Sequence, residues 1–345
     1  MDTRYRWQAY FPIIAIFLSA CAPNPTTPAV LPTRPPPSAS LTEEIQSPNS
    51  TDDALPPKLF IVADPSMHRQ IQQHLLVALQ DLTADQGWAL EQRASYPAED
   101  VDSQLRVVVA LPPAPDIEQW ADLSPQVQFV AVGISGLGTK HNLSLLGANG
   151  FREDQLSFLA GYLAAVITPD WRVATLIDEG AGIRAAGFRN GMIYFCGLCR
   201  LTYPPYYDYP LSFALKANRT DEDWRQAADF FAANAVDTLF INMQLGDTEM
   251  LQILMNSELN FIGVSMPADA ERWIATLRFA PEISIREKWN DILEEKGGWR
   301  AEIPLLVEDV NQELLSIGRL QWIEKMIDEL QTGFIDPSVT PISPD

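Results

Sequence analysis

The segment DQLSFLAGYLAAVITPDWRVATLID, residues 154–178, places a helix pattern directly before a strand pattern. In its first half, apolar residues recur at i, i+3, i+4 and i+7, at Leu156, Leu159, Ala160 and Leu163. This spacing covers one face of an α-helix. Residues 173–177 then form a continuous hydrophobic run rich in branched side chains, which is typical of a strand buried on both faces. The segment therefore predicts one helix–strand unit of an α/β protein.

The same alternation extends along the chain on both sides of this segment. Further hydrophobic runs lie at residues 59–63, 107–111, 129–132, 238–241 and 261–264. Segments with helical spacing separate them, and Thr220 with Asp223 resembles a capping box ahead of a helix over 224–233. Continuous rather than alternating runs predict parallel strands covered by helices on both faces. We therefore predict the α/β class.

The last third of the chain departs from this simple alternation. We predict, in order, a strand at 273–279, a helix at about 281–295, a break at Gly297-Gly298, a strand at 303–307 and a closing helix with Leu320, Ile323, Ile327 and Leu330 on one stripe. Because the chain from residue 58 onward exceeds what one hydrophobic core usually organises, we expect two lobes. The expected boundaries are 58–150 with about 270–300 for lobe 1, 151–269 with about 301–335 for lobe 2, and 336–345 for a tail.

The first 21 residues have the pattern of an exported lipoprotein. A short basic start precedes an apolar stretch, and Leu18-Ser19-Ala20 leads directly into Cys21. This lipobox resembles bacterial lipoprotein signal peptides, which implies a signal peptide at 1–20 and lipidation of Cys21, palmitate included. The alternative is an ordinary anchor helix, but about ten apolar residues containing Pro12 are too few to cross roughly 30 Å of hydrocarbon.

Residues 21–57 are rich in Pro, Thr, Ser and Ala and contain few large apolar side chains. Such a stretch buries too little apolar surface to offset its ordering entropy, so we expect a disordered tether. At about 3.1 Å per residue in polyproline geometry, it would reach up to roughly 100 Å from the lipid. The folded part is therefore expected outside the cytoplasm, attached to the cell membrane only through its lipid anchor.

The charge balance excludes some partners. The chain has 45 acidic and 24 basic side chains, a formal net charge of −21. This balance argues against nucleic acid or anionic lipid as a partner of the folded domain.

Cys196 and Cys199 are the two cysteines left once Cys21 is assigned to lipid. They follow an apparent helix at 183–195 with Gly197 placed like a C-terminal cap, and a helix C-terminus disfavours the thiolate that redox catalysis requires. A structural disulfide is the favoured interpretation, and two free packed thiols or a redox pair remain open.

Several motifs suggest chemistry without specifying it. Residues 133–140 (GISGLGTK) suggest a phosphate cradle, but their spacing fits neither the dinucleotide fingerprint nor a P-loop, which favours a flexible loop. The three histidines have no catalytic or metal-binding spacing. Asp178-Glu179 is interpreted as a solvated turn or a hydroxyl-binding pair rather than a hydrolytic one. The run YPPYYDYP at 203–210 fits either a stacking platform for a ligand or a rigid structural loop.

One block carries a family resemblance. DQLSFLAGYLAAVI at 154–167, WRVA at 171–174 and AGFRNG at 186–191 resemble the basic membrane protein family of lipoprotein substrate-binding proteins. NFIGV at 260–264 and GFIDP at 333–337 fit the same order. The resemblance implies a type 1 periplasmic-binding-protein fold, in which two Rossmann-like lobes with parallel sheets are joined by hinge crossovers. It also implies a nucleoside-like solute passed to an ATP-driven importer.

In this fold the solute lies between the carboxyl ends of the two sets of strands. The residues just beyond each strand are therefore the predicted polar contacts, namely Asp64, Ser66, Ser135, Asp178, Asn242, Gln244 and Ser265. Phe158 is a candidate apolar or stacking wall, with a plain core role as the alternative. Ser265 stands where the family usually has an Asp that grips a sugar hydroxyl, so nucleoside binding is expected to be weak or absent.

These observations predict a solute-binding protein of an ABC-type importer, with permease subunits and a small solute as partners. We expect no catalysis, cofactor or metal. The alternative functions are an extracytoplasmic receptor that feeds a membrane sensor, and an exported hydrolase, for which the chain lacks an evident catalytic set.

Overall fold

A computed structural model describes residues 55–96, 103–197, 199–243, 248–255, 257–267 and 270–339. The signal peptide predicted at 1–20, Cys21, the tether up to residue 54, and Gln244 lie outside these residues. Within the described part, no helix combines the length and the apolar character needed to cross a membrane.

Six strands form the first sheet, in the order β11-β5-β4-β3-β1-β2. Every pairing between neighbours in it is parallel. The strands are β1 Lys58–Val62, β2 Ala89–Arg93, β3 Leu105–Ala110, β4 Gln128–Val132, β5 Leu143–Leu146 and β11 Arg300–Ala301.

The second sheet also has six strands, in the order β12-β10-β9-β8-β6-β7. Its pairings are parallel except between β10 and β12, which run antiparallel. The strands are β6 Val173–Asp178, β7 Leu211–Leu215, β8 Thr238–Asn242, β9 Asn260–Gly263, β10 Trp273–Phe279 and β12 Leu305–Glu308.

Helices connect the strands of both sheets, as expected of an α/β protein. They are α1 Arg69–Gln86, α2 Ile117–Leu123, α3 Glu153–Ile167, α4 Gly182–Phe195, α5 Asp221–Ala233, α6 Thr248–Met255, α7 Pro281–Leu293 and α8 Ile317–Gln331. The capping box predicted for α5 is present, since the Thr220 N–H donates to the Asp223 carboxylate at 2.7 Å.

Both faces of each sheet are covered, which is why the strands appear as continuous hydrophobic runs. In β3, Val107 and Val109 belong to one buried cluster while Val108 belongs to another on the opposite face. In β8, Phe240 and Ile241 divide in the same way. The prediction of parallel strands buried on both faces is confirmed.

The helices α3 and α4 pack closely because glycines face backbone across their interface. A Cβ placed on Gly161 would lie 1.9 Å from the carbonyl oxygen of Phe188. A Cβ on Gly191 would lie 1.9 Å from the carbonyl oxygen of Phe158. Any side chain at either position would force the helices apart, so these two glycines explain physically the most specific motif of the sequence, residues 154–191.

The chain passes between the two sheets at three points within the described residues. It leaves the first sheet after β5 and enters the second sheet at β6. After β10 it returns by way of α7 to β11 in the first sheet, and it then crosses again to β12 in the second. The boundary of about 270–300 expected for lobe 1 is wrong for the strand Trp273–Phe279, because β10 pairs with β9 and β12 in the second sheet. The helix α7 that follows it packs against α1, which contacts β2 of the first sheet.

The structure joins Cys196 and Cys199 in a disulfide, so the disulfide interpretation is confirmed. The helix before them, α4, ends at Phe195 as expected. Its C-cap is Cys196 in an extended conformation rather than Gly197, so the cap prediction is wrong.

Candidate functional site

A cavity of about 290 Å³ lies where residues from both sheets meet. Its first wall comes from the segment after β1 and from the first turns of α1, with Ser66, Met67, His68, Gln70, Ile71 and His74. The Asp64 carboxylate shapes this segment by accepting the backbone N–H and the hydroxyl of Ser66, at 2.8 and 2.6 Å. These hydrogen bonds lower the pKa of Asp64 and orient Ser66 at the mouth of α1.

The second wall comes from the second sheet and its helices. Its polar lining residues are Glu153, Asp178, Arg184, Arg219 and Asn242. Asp178 ends β6 and Asn242 ends β8, and these two strands are hydrogen-bonded neighbours. Carboxyl ends of adjacent parallel strands meet at one sheet edge, which brings these two side chains to the same cavity.

The third side of the cavity is formed where the chain crosses between the sheets. Arg278 and Phe279 at the end of β10 line it. The ring of Phe151, on the crossover after β5, lies 5.4 Å from the ring of Phe279 and 4.9 Å from that of His68. Aromatic packing therefore ties two crossover segments to the start of α1 beside the cavity.

A chain of opposite charges runs along the second wall. The Asp178 carboxylate accepts from Arg219 Nη1 at 2.7 Å and lies 3.5 Å from Arg184 Nη1. Arg184 also donates to the Asn242 carbonyl oxygen at 3.1 Å, and its Nε lies 3.5 Å from a Glu153 carboxylate oxygen. The arginines are thus fixed by acceptors of the protein while they line the cavity.

Arg278 is the third arginine of the lining, and its positive charge is balanced by two carboxylates of its own. Its guanidinium contacts Glu282 at 2.7 Å and Glu308 at 2.6 Å. Glu308 lies on β12 and Glu282 lies in the first turn of α7, so the ion pairs connect the second sheet to the crossover helix. Two carboxylates around one guanidinium leave no excess positive charge at this position.

Two titratable groups in the cavity have perturbed pKa values. Burial lowers the pKa of His68, and the nearby Arg184 charge lowers it further, so the neutral imidazole is favoured. Burial raises the pKa of Glu153, an effect that Arg184 opposes. Both shifts favour the uncharged form of the group concerned.

The structure brings together three of the residues predicted for the site, since Ser66, Asp178 and Asn242 line the cavity. Of the other described candidates, Asp64 contacts Ser66 from outside the lining. Ser135 and Ser265 are not lining residues, although Val264 is. Gln244 lies outside the described residues.

Phe158 is placed in the core. Its side chain is 1% exposed and lies outside the cavity lining, with its ring 5.6 Å from that of Tyr194. The tyrosine run at 203–210 is also absent from the lining, and Tyr206 in it is 68% exposed. Residues 133–140 form the connection between β4 and β5, as the loop interpretation expects.

The charged lining residues Glu153, Arg184, Arg219 and Arg278 were not predicted. Arg184 lies in the first turn of α4, and Arg219 directly precedes the cap of α5. Both therefore follow strand ends, as the predicted residues do, but several positions later. Among the described residues, no group of His, Cys, Asp and Glu is arranged to hold a metal ion.

Comparison with known proteins identifies the fold. No protein-family model matches the chain, and no curated protein does. Solved structures do match. An ABC transporter system solute-binding protein from Conexibacter woesei DSM 14684 is 17% identical with a TM-score of 0.60, over 81% of this chain and 98% of its own.

Two further structures are similar over most of their length. An ABC transporter system solute-binding protein from Aeropyrum pernix K1 is 12% identical with a TM-score of 0.57, over 83% of this chain and 94% of its own. A transcriptional activator of the comK gene from Bacillus halodurans is 15% identical with a TM-score of 0.55, over 80% of this chain and 98% of its own. At these identities the likeness concerns the fold, and the predicted type 1 periplasmic-binding-protein fold is confirmed.

Proposed function

We propose that the protein binds a small polar solute in the cavity between its two sheets and delivers it to an ABC-type importer, without catalysis of its own. The observation that carries this proposal is the lining itself. Polar side chains from the ends of β6 and β8 meet the start of α1 across a space of about 290 Å³. This volume suits a small molecule, because ligand pockets begin at roughly 300 Å³.

The proposal includes two lobes that close on the solute. Each sheet with its helices forms one lobe, and the crossovers near Phe151 and Phe279 act as the hinge. Closure of this kind requires contacts that the solute makes with both walls at once. Ser66 on the first wall and Asn242 on the second wall are the predicted residues that we retain for these contacts.

Membrane attachment belongs to the same proposal. The lipobox before Cys21 and the Pro-rich stretch 21–57 support a lipid-anchored domain near permease subunits. We expect Cys21→Ser to release the protein from membranes without unfolding it. Fractionation after a high-salt wash checks this, and a variant that still sediments with membranes would contradict the lipid anchor.

Solute binding is tested by native mass spectrometry of the gently purified full chain, followed by affinity selection from a mixture of small solutes. We expect a bound small molecule in the wild-type protein. Val264→Trp, which places an indole in the cavity lining, should abolish binding. Val77→Trp is the matched control, since Val77 is 57% exposed on α1. Equal binding by both variants, or none by the wild type, would contradict the proposed site.

A further inference from the structure

We propose that the cavity selects solutes that carry an anionic, oxygen-rich group, a carboxylate or a phosphate, and that Arg184 and Arg219 bind this group. The inference rests on the proposed solute-binding function and specifies its substrate class. It differs from the nucleoside expected from the family resemblance, because nucleosides carry no such group. Three features of the cavity support it.

The first feature is the unused donor capacity of the two guanidiniums. A guanidinium has five N–H donors. Arg219 uses Nη1 for Asp178, and within the described residues no other hydrogen-bond acceptor contacts it. Arg184 uses Nη1 for Asp178 and for the Asn242 carbonyl, and its Nε lies 3.5 Å from a Glu153 carboxylate oxygen. The remaining donors belong to side chains that line the cavity, and planar forks of N–H groups match carboxylate and phosphate oxygens.

The second feature is the way in which the two side chains are held in place. Asp178 lies between the guanidiniums, and the Arg219 guanidinium carbon lies 5.9 Å from the ring centroid of Trp224. The two arginine side chains are only 25% and 20% exposed. A bound anion would therefore meet donors that are already positioned, so little side-chain entropy would be lost on binding.

The third feature is the local charge balance. Arg184 and Arg219 share the Asp178 carboxylate. Glu153 is the remaining acid of the lining, and one of its carboxylate oxygens lies 3.5 Å from Arg184 Nε. Arg278 is balanced by its own two carboxylates, and the described lining residues of the first wall include no acid. The N–H donors of Arg184 and Arg219 therefore outnumber the acceptor oxygens that contact them, and an anion could bind the remainder.

The rest of the solute faces apolar surface. Ile71 from α1, Leu156 from α3 and Val264 after β9 line the same cavity. A compact solute with one anionic end and an uncharged body fits both parts of this lining. Carboxylate and phosphate share the chemistry that the arginines recognise, and the experiment separates them.

The test is calorimetric titration of the full chain with matched probes, preceded by affinity selection from equal numbers of neutral, cationic and anionic solutes. The matched probes are adenosine with adenosine 5′-monophosphate, and glucose with glucose 6-phosphate and with gluconate. We expect the selection to return anionic solutes. In each matched set that binds, the anionic probe should bind at least tenfold more tightly than its neutral partner. A stronger response to gluconate or to the phosphates identifies which oxyanion is preferred.

Arg219→Met provides the residue-level test on whichever anionic solute is selected. Its affinity should fall at least tenfold, and added salt should weaken wild-type binding. Arg225→Met is the control, because Arg225 lies on the exposed face of α5 and pairs only with Glu222 among the described residues. An unchanged melting temperature shows that the Arg219 variant folds.

The outcomes separate this inference from the proposed function. Selection of neutral or cationic solutes that bind in the cavity would overturn the anion inference and leave solute binding intact. Equal loss of affinity in Arg219→Met and Arg225→Met would also overturn it. Failure to bind any solute would overturn both, since the inference depends on the function.

Discussion

Gly191→Ala tests the contact that fixes α4, and with it Arg184, relative to α3. The added Cβ would lie 1.9 Å from the Phe158 carbonyl oxygen, whereas real Cβ atoms stay at 3.0 Å or more from such neighbours. The helices must therefore separate by about 1 Å, because a backbone carbonyl in a helix cannot rotate away. Overpacking of this kind typically costs about 1–3 kcal/mol of stability. Because the neighbour is a rigid helix backbone, we expect a cost of about 3 kcal/mol for Gly191→Ala.

Part of that cost is offset by alanine's helix propensity, which exceeds that of glycine by about 1 kcal/mol. We therefore expect the free energy of unfolding to fall by about 2 kcal/mol. Urea denaturation followed by far-ultraviolet circular dichroism measures it. Gly318→Ala is the matched control, because Gly318 lies on α8 with no atom within 4 Å of the added Cβ. That variant should be unchanged or stabilised by up to about 1 kcal/mol.

The two variants also differ in their expected effect on the site. Separation of α3 from α4 would lengthen the 3.5 Å approach between Glu153 and Arg184, which lie on these two helices. Solute affinity should fall in Gly191→Ala, because Arg184 would move with α4 away from its position beside Asp178, and should stay constant in Gly318→Ala. If Gly191→Ala were as stable as Gly318→Ala, the close packing of α3 and α4 would not be the constraint described above.

Three further expectations concern charge and the disulfide. Asp178→Asn should raise the affinity for an anionic solute about tenfold, since it removes the charge that competes for both arginines while the amide oxygen can still accept from Arg219. Calorimetry checks this, and weaker binding would mean that the Asp178 charge is needed to hold the two arginines in position. Burial raises the pKa of Glu153 in the folded protein above its ordinary value of 4.5. The protonated carboxyl therefore stabilises the fold fully below pH 4.5, and this stabilisation is lost as pH rises through the folded-state pKa. Denaturation from pH 4 to 8 should show wild type losing stability relative to Glu153→Gln, and parallel curves would contradict this. Replacing Cys196 and Cys199 with serine should cost at most about 2 kcal/mol, because the loop between them is very short; a larger loss would show a wider role.

The predictable part of the fold is the part buried on both faces. The runs at 59–63, 173–177 and 238–241 lie within one residue of β1, β6 and β8, because strands covered on both sides need apolar residues at every position. The edge strands β2 and β7 were missed because their residues are partly exposed, although β7 alternates Leu211, Phe213 and Leu215 with smaller residues, which is a strand signal. The buried strand β5 was missed as well, because its short run is interrupted by Ser144.

Sheet membership was harder to predict than strand position. The strand Trp273–Phe279 was placed correctly in sequence, but its pairing with β9 and β12 is a tertiary choice that its own residues do not encode. β11 is only two residues long, Arg300–Ala301, and is a strand because β5 pairs with it.

The site divides along similar lines. Ser66, Asp178 and Asn242 were predicted from the rule that solutes lie at strand carboxyl ends, and they line the cavity. Arg184 and Arg219 reach it from a helix turn and a loop, where charged residues are ordinary on any surface. Only the three-dimensional arrangement shows that both share Asp178.

Amide hydrogen exchange of the full chain, with and without a solute obtained by affinity selection, tests the central claim most directly. The claim is that one solute contacts both walls of the cavity between the sheets. We expect simultaneous protection of residues 66–74 on the first wall and 178–184 on the second, with little change in the exposed helix face around Arg225. Protection confined to one wall, or located away from the cavity, would contradict it.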